Sequence, residues 1–264
     1  MSQEILETTP PPADHRIRYG PGEFHFGDLR LPQKAGPHPA AVVIHGGFWR
    51  ATYGLEYIGH VCAALTDAGI ATWNIEYRRL GHPGGGWPGT VEDVADAADH
   101  LQSIGAEFNL DLNRVIAIGH SAGGHLALWL GTRKKLLRAV ISLAGVADLR
   151  RAWALRLSNT VVADFLGGSP EEVPDRYESA SPIEQLPLGL PQKLFHGTAD
   201  TSVPYEISER YVHAAQMRGD DAELITLEGA GHFELVDPHT KEFRLVRETA
   251  LSLVNAGCLP QHRI

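Results

Sequence analysis

The chain has 264 residues, of which 43% are hydrophobic and 21% are charged, and this composition is typical of a soluble globular protein. The net charge of -9 repels phosphate backbones and anionic lipid surfaces, so we expect neither a nucleic acid nor a membrane as a partner. The two cysteines, Cys62 and Cys258, are too few for a disulfide scaffold or a thiolate zinc site, which favours a reducing, cytoplasmic location. No apolar run approaches the roughly 20 residues that span a bilayer.

The start of the chain has neither the basic nor the apolar region of a secretory signal, so no such signal is expected. Residues 1–14 are predicted to form a flexible N-terminal tail, and residues 15–264 are predicted to form a single domain. Within this domain, residues 16–31 carry two weakly alternating stretches around a Gly-Pro-Gly turn. That pattern predicts an antiparallel pair of strands at one edge of a sheet.

Short β-branched runs then alternate with segments of helical period. This order is typical of an α/β fold, in which a mostly parallel sheet carries helices on both faces. The predicted strands are 40–44, 70–75, 114–118, 138–143 and 192–195, and the predicted helices are 55–68, 91–104, 122–132, 204–218 and 240–256. Residues 148–190 interrupt the alternation with paired glycines and four prolines, which predicts an inserted cap or lid.

The sequence Gly119-His120-Ser121-Ala122-Gly123 lies between a predicted strand and a predicted helix. A G-x-S-x-G sequence at that position predicts a sharp, strained turn, because the glycines remove Cβ atoms that would clash and leave the serine oxygen accessible at the sheet edge. A glycine-rich turn without chemistry is the alternative interpretation, and the strand-to-helix placement favours the functional one. Ser121 is therefore the predicted nucleophile.

A serine hydroxyl is a weak nucleophile that needs a base, and the base needs a carboxylate to orient it. Asp200 follows the last predicted strand of the alternation, and His232 follows a later β-like run. The chain order Ser121, Asp200, His232 is the order expected when such residues lie on loops after the strands of an α/β sheet. Asp148 and Asp237 are alternative acids, Asp200 could instead cap a helix, and His232 could instead be a core histidine.

The first strand of the alternation ends in the loop HGGFW, residues 45–49. Small residues in such a loop let backbone N–H groups face a substrate and stabilise a developing oxyanion. We predict an oxyanion hole formed by the N–H groups of Gly47, Phe48 and Ala122, with the flanking histidine and tryptophan supporting the loop. An ordinary glycine turn is the alternative interpretation.

The sequence gives no signal for a metal ion or a nucleotide cofactor. The 14 histidines include no H-E-x-x-H sequence, and His120 and His125 are poorly spaced for one helix face, so no metal site is expected. The glycines at 84–86 are not followed by the Lys-Ser/Thr pair of a phosphate-binding loop. We therefore expect no cofactor.

The loops HGGFW, GHSAGG, HGTAD and GAGHF together resemble the α/β-hydrolase superfamily, and the resemblance runs over about residues 24–255. It implies an α/β-hydrolase fold of the esterase branch that carries an H-G-G loop. The HGGxW sequence is similar to that of kynurenine formamidase and of related small carboxylesterases. Phe48 stands where the hormone-sensitive-lipase pattern has a third glycine, which implies a narrowed acyl pocket. Trp49 and His120, which lie within the HGGFW and GHSAGG sequences, are the expected substrate-binding residues.

The expected function is that of a serine hydrolase in which Ser121 attacks a carbonyl, His232 moves the proton and Asp200 orients His232. The expected substrate is a small carboxylic ester or an N-formyl arylamine, since both present a short acyl group. A peptidase of the prolyl-oligopeptidase type and a noncatalytic ligand-binding protein are the alternatives. The expected partners are a small-molecule substrate and, at most, a second copy of the chain in a homodimer.

Overall fold

The computed structural model describes residues 4–133 and 136–256. The strands are β1 (His15–Arg18), β2 (Phe26–Arg30), β3 (His38–Ile44), β4 (Ala71–Ile75), β5 (Leu110–His120), β6 (Leu137–Leu143), β7 (Gln192–Gly197) and β8 (Ala222–Leu227). They form one sheet in the order β1-β2-β4-β3-β5-β6-β7-β8. Strands β3 to β8 are parallel, whereas β2 is antiparallel to both of its neighbours. The predicted α/β-hydrolase fold and its antiparallel edge are confirmed.

The helices are α1 (Gly59–Asp67), α2 (Gly89–Ile104), α3 (Ala122–Thr132), α4 (Leu149–Ala154), α5 (Val161–Leu166), α6 (Pro174–Ala180), α7 (Glu206–Met217) and α8 (Lys241–Asn255). Five of them, α1, α2, α3, α7 and α8, correspond to the predicted helices, and their bounds agree to within a few residues with one exception. The helix predicted at 55–68 begins only at Gly59, because the residues before it form a loop that bonds to other parts of the structure. In that loop, the Leu55 N–H donates to the Glu76 carboxylate over 3.3 Å, and the Tyr57 hydroxyl accepts from the Gly46 N–H.

The two faces of the sheet each bury a separate apolar cluster. Along β3, Ala40, Val42 and Ile44 contribute to the cluster that contains residues of α2, α3 and α7. Ala41 and Val43 contribute to the cluster on the other face, which contains residues of α1 and α8. Continuous apolar runs in the sequence therefore correspond to strands that are covered on both faces.

Residues 148–190, predicted as a cap or lid, lie between β6 and β7 and carry the three short helices α4, α5 and α6. Residues 4–14 make contacts with the domain, since Arg30 donates to the Pro11 carbonyl over 2.8 Å and the Leu31 N–H donates to Asp14 over 2.7 Å. The flexibility of the N-terminal tail stays a prediction, as does the role of residues 148–190 as a cap or lid.

Burial raises the pKa of the Cys62 thiol to about 12, so this side chain is an uncharged core group. Cys258 lies outside the described residues. Within the part of the chain that the structure describes, no helix combines the length and apolar character needed to cross a membrane.

Candidate active site

The turn between β5 and α3 holds Ser121 in a strained backbone conformation, with φ of 58° and ψ of -121°. Two glycines make the turn sterically feasible. A Cβ atom on Gly119 would lie 1.9 Å from the Gly123 carbonyl oxygen, and a Cβ atom on Gly123 would lie 2.1 Å from the carbonyl oxygen of Ile44. The G-x-S-x-G spacing therefore follows from backbone packing, and strain of this kind is characteristic of functional turns.

Asp200 and His232 lie on the loops that follow β7 and β8, and their side chains are joined by a hydrogen bond of 2.6 Å from His232 Nδ1 to Asp200 Oδ2. The other oxygen of Asp200 accepts from the N–H groups of Ser202 and Val203, over 2.7 and 2.9 Å. Because an ionised carboxylate can only accept, the hydrogen bond places a proton on His232 Nδ1 and leaves Nε2 as the nitrogen that can accept another. This geometry is suited to a base with an orienting carboxylate.

Asp200 is ionised because the hydrogen bonds to its carboxylate lower its pKa by more than burial raises it. Burial alone would raise its pKa, but hydrogen bonds from His196 and His232 and the N–H of Val203 lower the pKa well below the usual range of a carboxyl group. His196 Nε2 is shared between the Val203 carbonyl at 2.9 Å and Asp200 at 3.4 Å. The carboxylate therefore stays negative across the working range of pH.

The two alternative acids have other partners. Asp148 caps α4 by accepting from the Arg151 N–H over 2.9 Å, and it pairs with Arg210 over 3.1 Å. Asp237 accepts from the N–H of His239 over 3.0 Å. Of the three acids weighed from the sequence, Asp200 is the one that is hydrogen-bonded to His232.

The HGGFW loop after β3 has three consecutive residues in the left-handed region, with φ of 105° at Gly47, 51° at Phe48 and 56° at Trp49. Each non-glycine residue in this region costs roughly 1–3 kcal/mol, so the surrounding structure must hold the loop in place. Ala122 is the first residue of α3, and the first N–H groups of a helix have no partner within the helix. The loop and this helix terminus are suited to present backbone donors to an anionic oxygen.

The buried carboxylate of Glu76 supports the HGGFW loop through His45, the first residue of the loop. His45 contacts the Glu76 carboxylate over 2.9 Å and its ring stacks on Tyr77 at 4.3 Å. Burial alone would raise the pKa of Glu76, but the charge and hydrogen bond of His45 and the charge of Arg79 lower it. The Tyr77 hydroxyl in turn donates to the His45 carbonyl over 2.7 Å. These contacts are a structural basis for the supporting role that is predicted for His45.

One cavity of about 270 Å³ brings the separate loops together. It is lined by Leu6, Gly47, Phe48, Tyr53, Tyr57, His120, Ser121, Ser202, His232 and Phe233. Among these described residues there is no Lys, Arg, Asp or Glu, and none comes from the segment 148–190. Within the described residues no group of three or more His, Cys, Asp or Glu is arranged to hold a metal ion.

Sequence reasoning missed five of the lining residues. Ser202 and Phe233 follow the predicted acid and base closely, so proximity in sequence was an available signal. Tyr57 falls within the helix predicted at 55–68, which begins only at Gly59, and Tyr53 lies just before that predicted helix. Leu6 belongs to the N-terminal segment and reaches the cavity through tertiary packing alone, for which the sequence carries no signal.

Trp49, expected to bind substrate, does not line this cavity, and we correct that prediction. Its side chain is fully buried, stacks on Phe165 at 4.7 Å and donates to His125 Nδ1 over 3.2 Å. His125 Nε2 donates to the Ala180 carbonyl over 2.9 Å. The large ring packs inward because the left-handed turn of the loop directs it toward the core, where it ties the loop to α3 and to the segment 148–190.

His120, the other expected substrate-binding residue, lines the cavity but has no ring nitrogen available for a substrate. Nε2 donates to the His232 carbonyl over 2.9 Å, and Nδ1 accepts from the Tyr57 hydroxyl over 3.0 Å. Burial and the nearby charge of His232 lower the pKa of His120 to about 3. Its ring is therefore neutral, and hydrogen bonding to substrate through it is excluded by these internal bonds.

Known proteins that are similar to this chain include several esterases. Residues 28–214 match the sequence profile of the BD-FAE family. The chain is 26% identical over 250 residues to a probable isoprenylcysteine alpha-carbonyl methylesterase of Arabidopsis thaliana, a match that covers 83% of this chain and 50% of the relative. It is 26% identical over 252 residues to esterase LipC of Mycobacterium tuberculosis, covering 84% of this chain and 60% of that protein. The chain thus spans about half to three-fifths of the length of these relatives.

The fold is also similar to that of a truncated form of a carbohydrate esterase from gut microbiota, with a TM-score of 0.81. The two chains are 22% identical, and the match covers 94% of this chain and 100% of the other. At that identity the likeness concerns the fold alone. It agrees with the sheet order and helix placement described above.

The neutral state of His120 predicts a pH dependence of stability. Because its pKa is about 3 in the folded protein and about 6.5 when unfolded, the unfolded chain binds an additional proton between these values, and stability falls as pH drops below 6.5. Between pH 7 and pH 5 this single group should lower the free energy of unfolding by about 2 kcal/mol. His120→Gln should remove that contribution, as measured by urea unfolding at both values of pH.

His213 on the exposed side of α7 provides the matched control. His213→Gln should retain the wild-type difference in unfolding free energy between pH 7 and pH 5. If His120→Gln also retains the full wild-type difference, the assignment of a buried, neutral His120 is wrong.

Proposed function

The chain belongs to the BD-FAE family of α/β-hydrolase esterases, and from that premise we propose that it is a serine carboxylesterase acting on small, uncharged esters. The observation that carries the proposal is the 2.6 Å bond between His232 Nδ1 and Asp200, with His232 and Ser121 lining one cavity. A basic nitrogen, an orienting carboxylate and a hydroxyl at a strained turn are the parts that acyl transfer to serine requires. The names of the relatives, both esterases, support the same reaction.

In the proposed reaction, the Ser121 hydroxyl oxygen attacks the ester carbonyl while its proton passes to His232 Nε2. The resulting imidazolium is stabilised by the ionised Asp200 and donates that proton to the alcohol oxygen as the ester C–O bond breaks. The acyl group remains on Ser121. A water molecule then attacks the acyl carbon, gives its proton to His232, and the acid leaves as the proton returns to the Ser121 oxygen.

Backbone donors stabilise the tetrahedral intermediate in this proposal. The N–H groups of Gly47, Phe48 and Ala122 are the proposed oxyanion hole. Support for it comes from the three left-handed residues of the HGGFW loop and from the position of Ala122 at the start of α3. Because these dipoles are fixed before the substrate binds, they stabilise the developing charge without reorganisation.

The size and polarity of the cavity suggest the substrate class. Its volume of about 270 Å³ is below the range of roughly 300–1,000 Å³ typical of sites for drug-sized ligands, and Phe48, Tyr53 and Phe233 give it aromatic walls. An uncharged, short acyl group fits these walls. The lack of Lys, Arg, Asp and Glu among the described lining residues disfavours a substrate whose charged groups must enter the cavity.

Hydrolysis of an N-formyl arylamine is the second candidate, because a formyl group is the smallest acyl group and Phe48 narrows the cavity. The same residues would act, with His232 donating its proton to the arylamine nitrogen as the C–N bond breaks. N-formylkynurenine also carries an amino acid group, for which the described lining offers no charged partner. We therefore place the simple ester first.

A substrate series tests this proposal. Wild type should hydrolyse p-nitrophenyl acetate and butyrate with a kcat/KM at least about tenfold above that for the octanoate, because the cavity is small. The kcat/KM for these two esters should also exceed that for N-formylkynurenine, because the described lining offers no partner for its charged groups. Ser121→Ala should lower kcat/KM for the acetate by at least about 10³-fold, since it removes the nucleophile. Ser252→Ala, on the exposed side of α8, serves as the control with wild-type rates.

Three other outcomes would contradict the ester assignment. A preference for N-formylkynurenine would identify a formamidase and contradict the ester assignment. Cleavage of prolyl peptides instead of either substrate would favour the peptidase interpretation. A folded wild type that hydrolyses none of these substrates would favour a noncatalytic ligand-binding protein.

Two matched carboxylate variants test the choice of acid. Asp200→Asn should lower kcat by about 10³- to 10⁴-fold, because an amide no longer holds His232 in the required tautomer. Asp148→Asn should leave kcat within about threefold and lower the unfolding free energy by at most about 1 kcal/mol, because Asn can still cap α4 and the change removes only the charge that pairs with Arg210. The reverse pattern, with activity lost in Asp148→Asn and kept in Asp200→Asn, would show that the acid is misassigned.

A further inference from the structure

A chain of three buried hydrogen bonds joins the HGGFW loop to the loop that carries His232. The Gly46 N–H donates to the Tyr57 hydroxyl oxygen over 2.5 Å. Tyr57 and His120 Nδ1 are 3.0 Å apart, and His120 Nε2 lies 2.9 Å from the His232 carbonyl oxygen. The proposed reaction uses neither Tyr57 nor His120, so their arrangement requires a separate explanation.

The protons in this chain have one consistent arrangement. The His232 carbonyl can only accept, so Nε2 of His120 carries the ring proton and Nδ1 is an acceptor. The Tyr57 hydroxyl must then donate to Nδ1, which leaves its oxygen free to accept from the Gly46 N–H. Burial raises the pKa of Tyr57 above its usual value, so its hydroxyl keeps this proton. Every donor in the chain thus has an acceptor, and no bond depends on a change of protonation state.

The two loops have no shared strand pair to fix their separation. The HGGFW loop follows β3 and the His232 loop follows β8, and three strands, β5, β6 and β7, lie between β3 and β8 in the sheet. The hydrogen-bond chain crosses this distance through Tyr57, in the loop before α1, and His120, at the end of β5. The hydrogen-bond chain therefore links the two loops directly, whereas the sheet links them only through three intervening strands.

The contacts around Gly46 leave the chain little freedom. A Cβ atom at this position would lie 2.6 Å from the His120 carbonyl oxygen, 2.8 Å from the Tyr57 hydroxyl and 2.9 Å from Ser121 Cβ. The His120 and His232 rings are also close, with centroids 4.5 Å apart. A shift of Tyr57 or His120 would therefore move the HGGFW loop or the His232 loop.

We propose that Tyr57 and His120 are positioning residues, which hold the proposed oxyanion hole and the general base at a fixed separation. This inference rests on the serine esterase function proposed above. The oxyanion donors and the base must act on the same carbonyl within a few tenths of an ångström, and a displacement of about 1 Å can cost about 10²-fold in rate. A role of this kind affects the transition state more than the binding of substrate.

Tyr57→Phe is the direct test, because it removes only the hydroxyl and leaves the Gly46 N–H and His120 Nδ1 without a partner. We expect kcat for p-nitrophenyl acetate to fall by about 10- to 100-fold, with KM within about threefold of wild type. Tyr211→Phe is the matched control, since Tyr211 is also a buried tyrosine, donates to Gln192 over 2.6 Å and lies outside the cavity lining. It should lose stability without a change in kcat.

A double-mutant cycle with His120→Phe distinguishes a connected chain from two separate structural effects. If the chain acts as a unit, Tyr57→Phe combined with His120→Phe should lower kcat about as much as the more damaging single variant. If the two decreases multiply instead, the residues act independently and the inference is wrong. His120→Phe alone also carries the kcat test in the event that Tyr57→Phe does not fold.

The kinetic results distinguish a failure of the positioning role from a failure of the proposed esterase function. Wild-type kcat in folded Tyr57→Phe, alongside Ser121-dependent hydrolysis by wild type, overturns the positioning role alone. A raised KM with unchanged kcat also overturns it, because that pattern reports substrate binding. Absence of Ser121-dependent hydrolysis in the wild type overturns the proposed function and the positioning role with it.

Discussion

The close approach of the turn between β5 and α3 to the end of β3 is the constraint on which the rest of the site depends. A Cβ atom on Gly123 would lie 2.1 Å from the carbonyl oxygen of Ile44, so the first turn of α3 rests directly on the backbone at the end of β3. The HGGFW loop begins immediately after Ile44. This contact therefore sets Ser121 and the N–H of Ala122 beside that loop, and the strained dihedral angles on both sides follow from it.

The His232 ring lies between the Asp200 carboxylate, 2.6 Å from its Nδ1, and the His120 ring, whose centroid is 4.5 Å away. Asp200 is held ionised by hydrogen bonds that outweigh its burial, while burial and the charge of His232 lower the pKa of the neighbouring His120 to about 3 and keep that ring neutral. In the proposed reaction, the negative charge of Asp200 would stabilise the imidazolium that forms on His232 in the transition state. Fixed dipoles and charges of this kind suit a reaction in which charge develops at one carbonyl oxygen.

Local sterics and strand order explain why Ser121, Asp200 and His232 could be proposed from sequence. Each follows a recognisable strand, and parallel strands bring their carboxyl ends to one edge of the sheet. The buried position of Trp49 and the hydrogen bonds of His120 depend instead on contacts between distant segments, which periodicity does not encode. The same holds for Leu6, which reaches the cavity from the N-terminal segment, and for Tyr57, whose loop bonds delay the start of α1 to Gly59.

The identity of the nucleophile is the central claim, and covalent labelling tests it most directly. The chain would be treated with a p-nitrophenyl alkylphosphonate, which leaves a stable tetrahedral phosphonyl group on an activated serine as p-nitrophenol is released. The account predicts a single adduct per chain by intact mass, located at Ser121 by peptide mapping and absent from Ser121→Ala. An adduct on another residue, or ester hydrolysis by a chain that takes up no label, would contradict it.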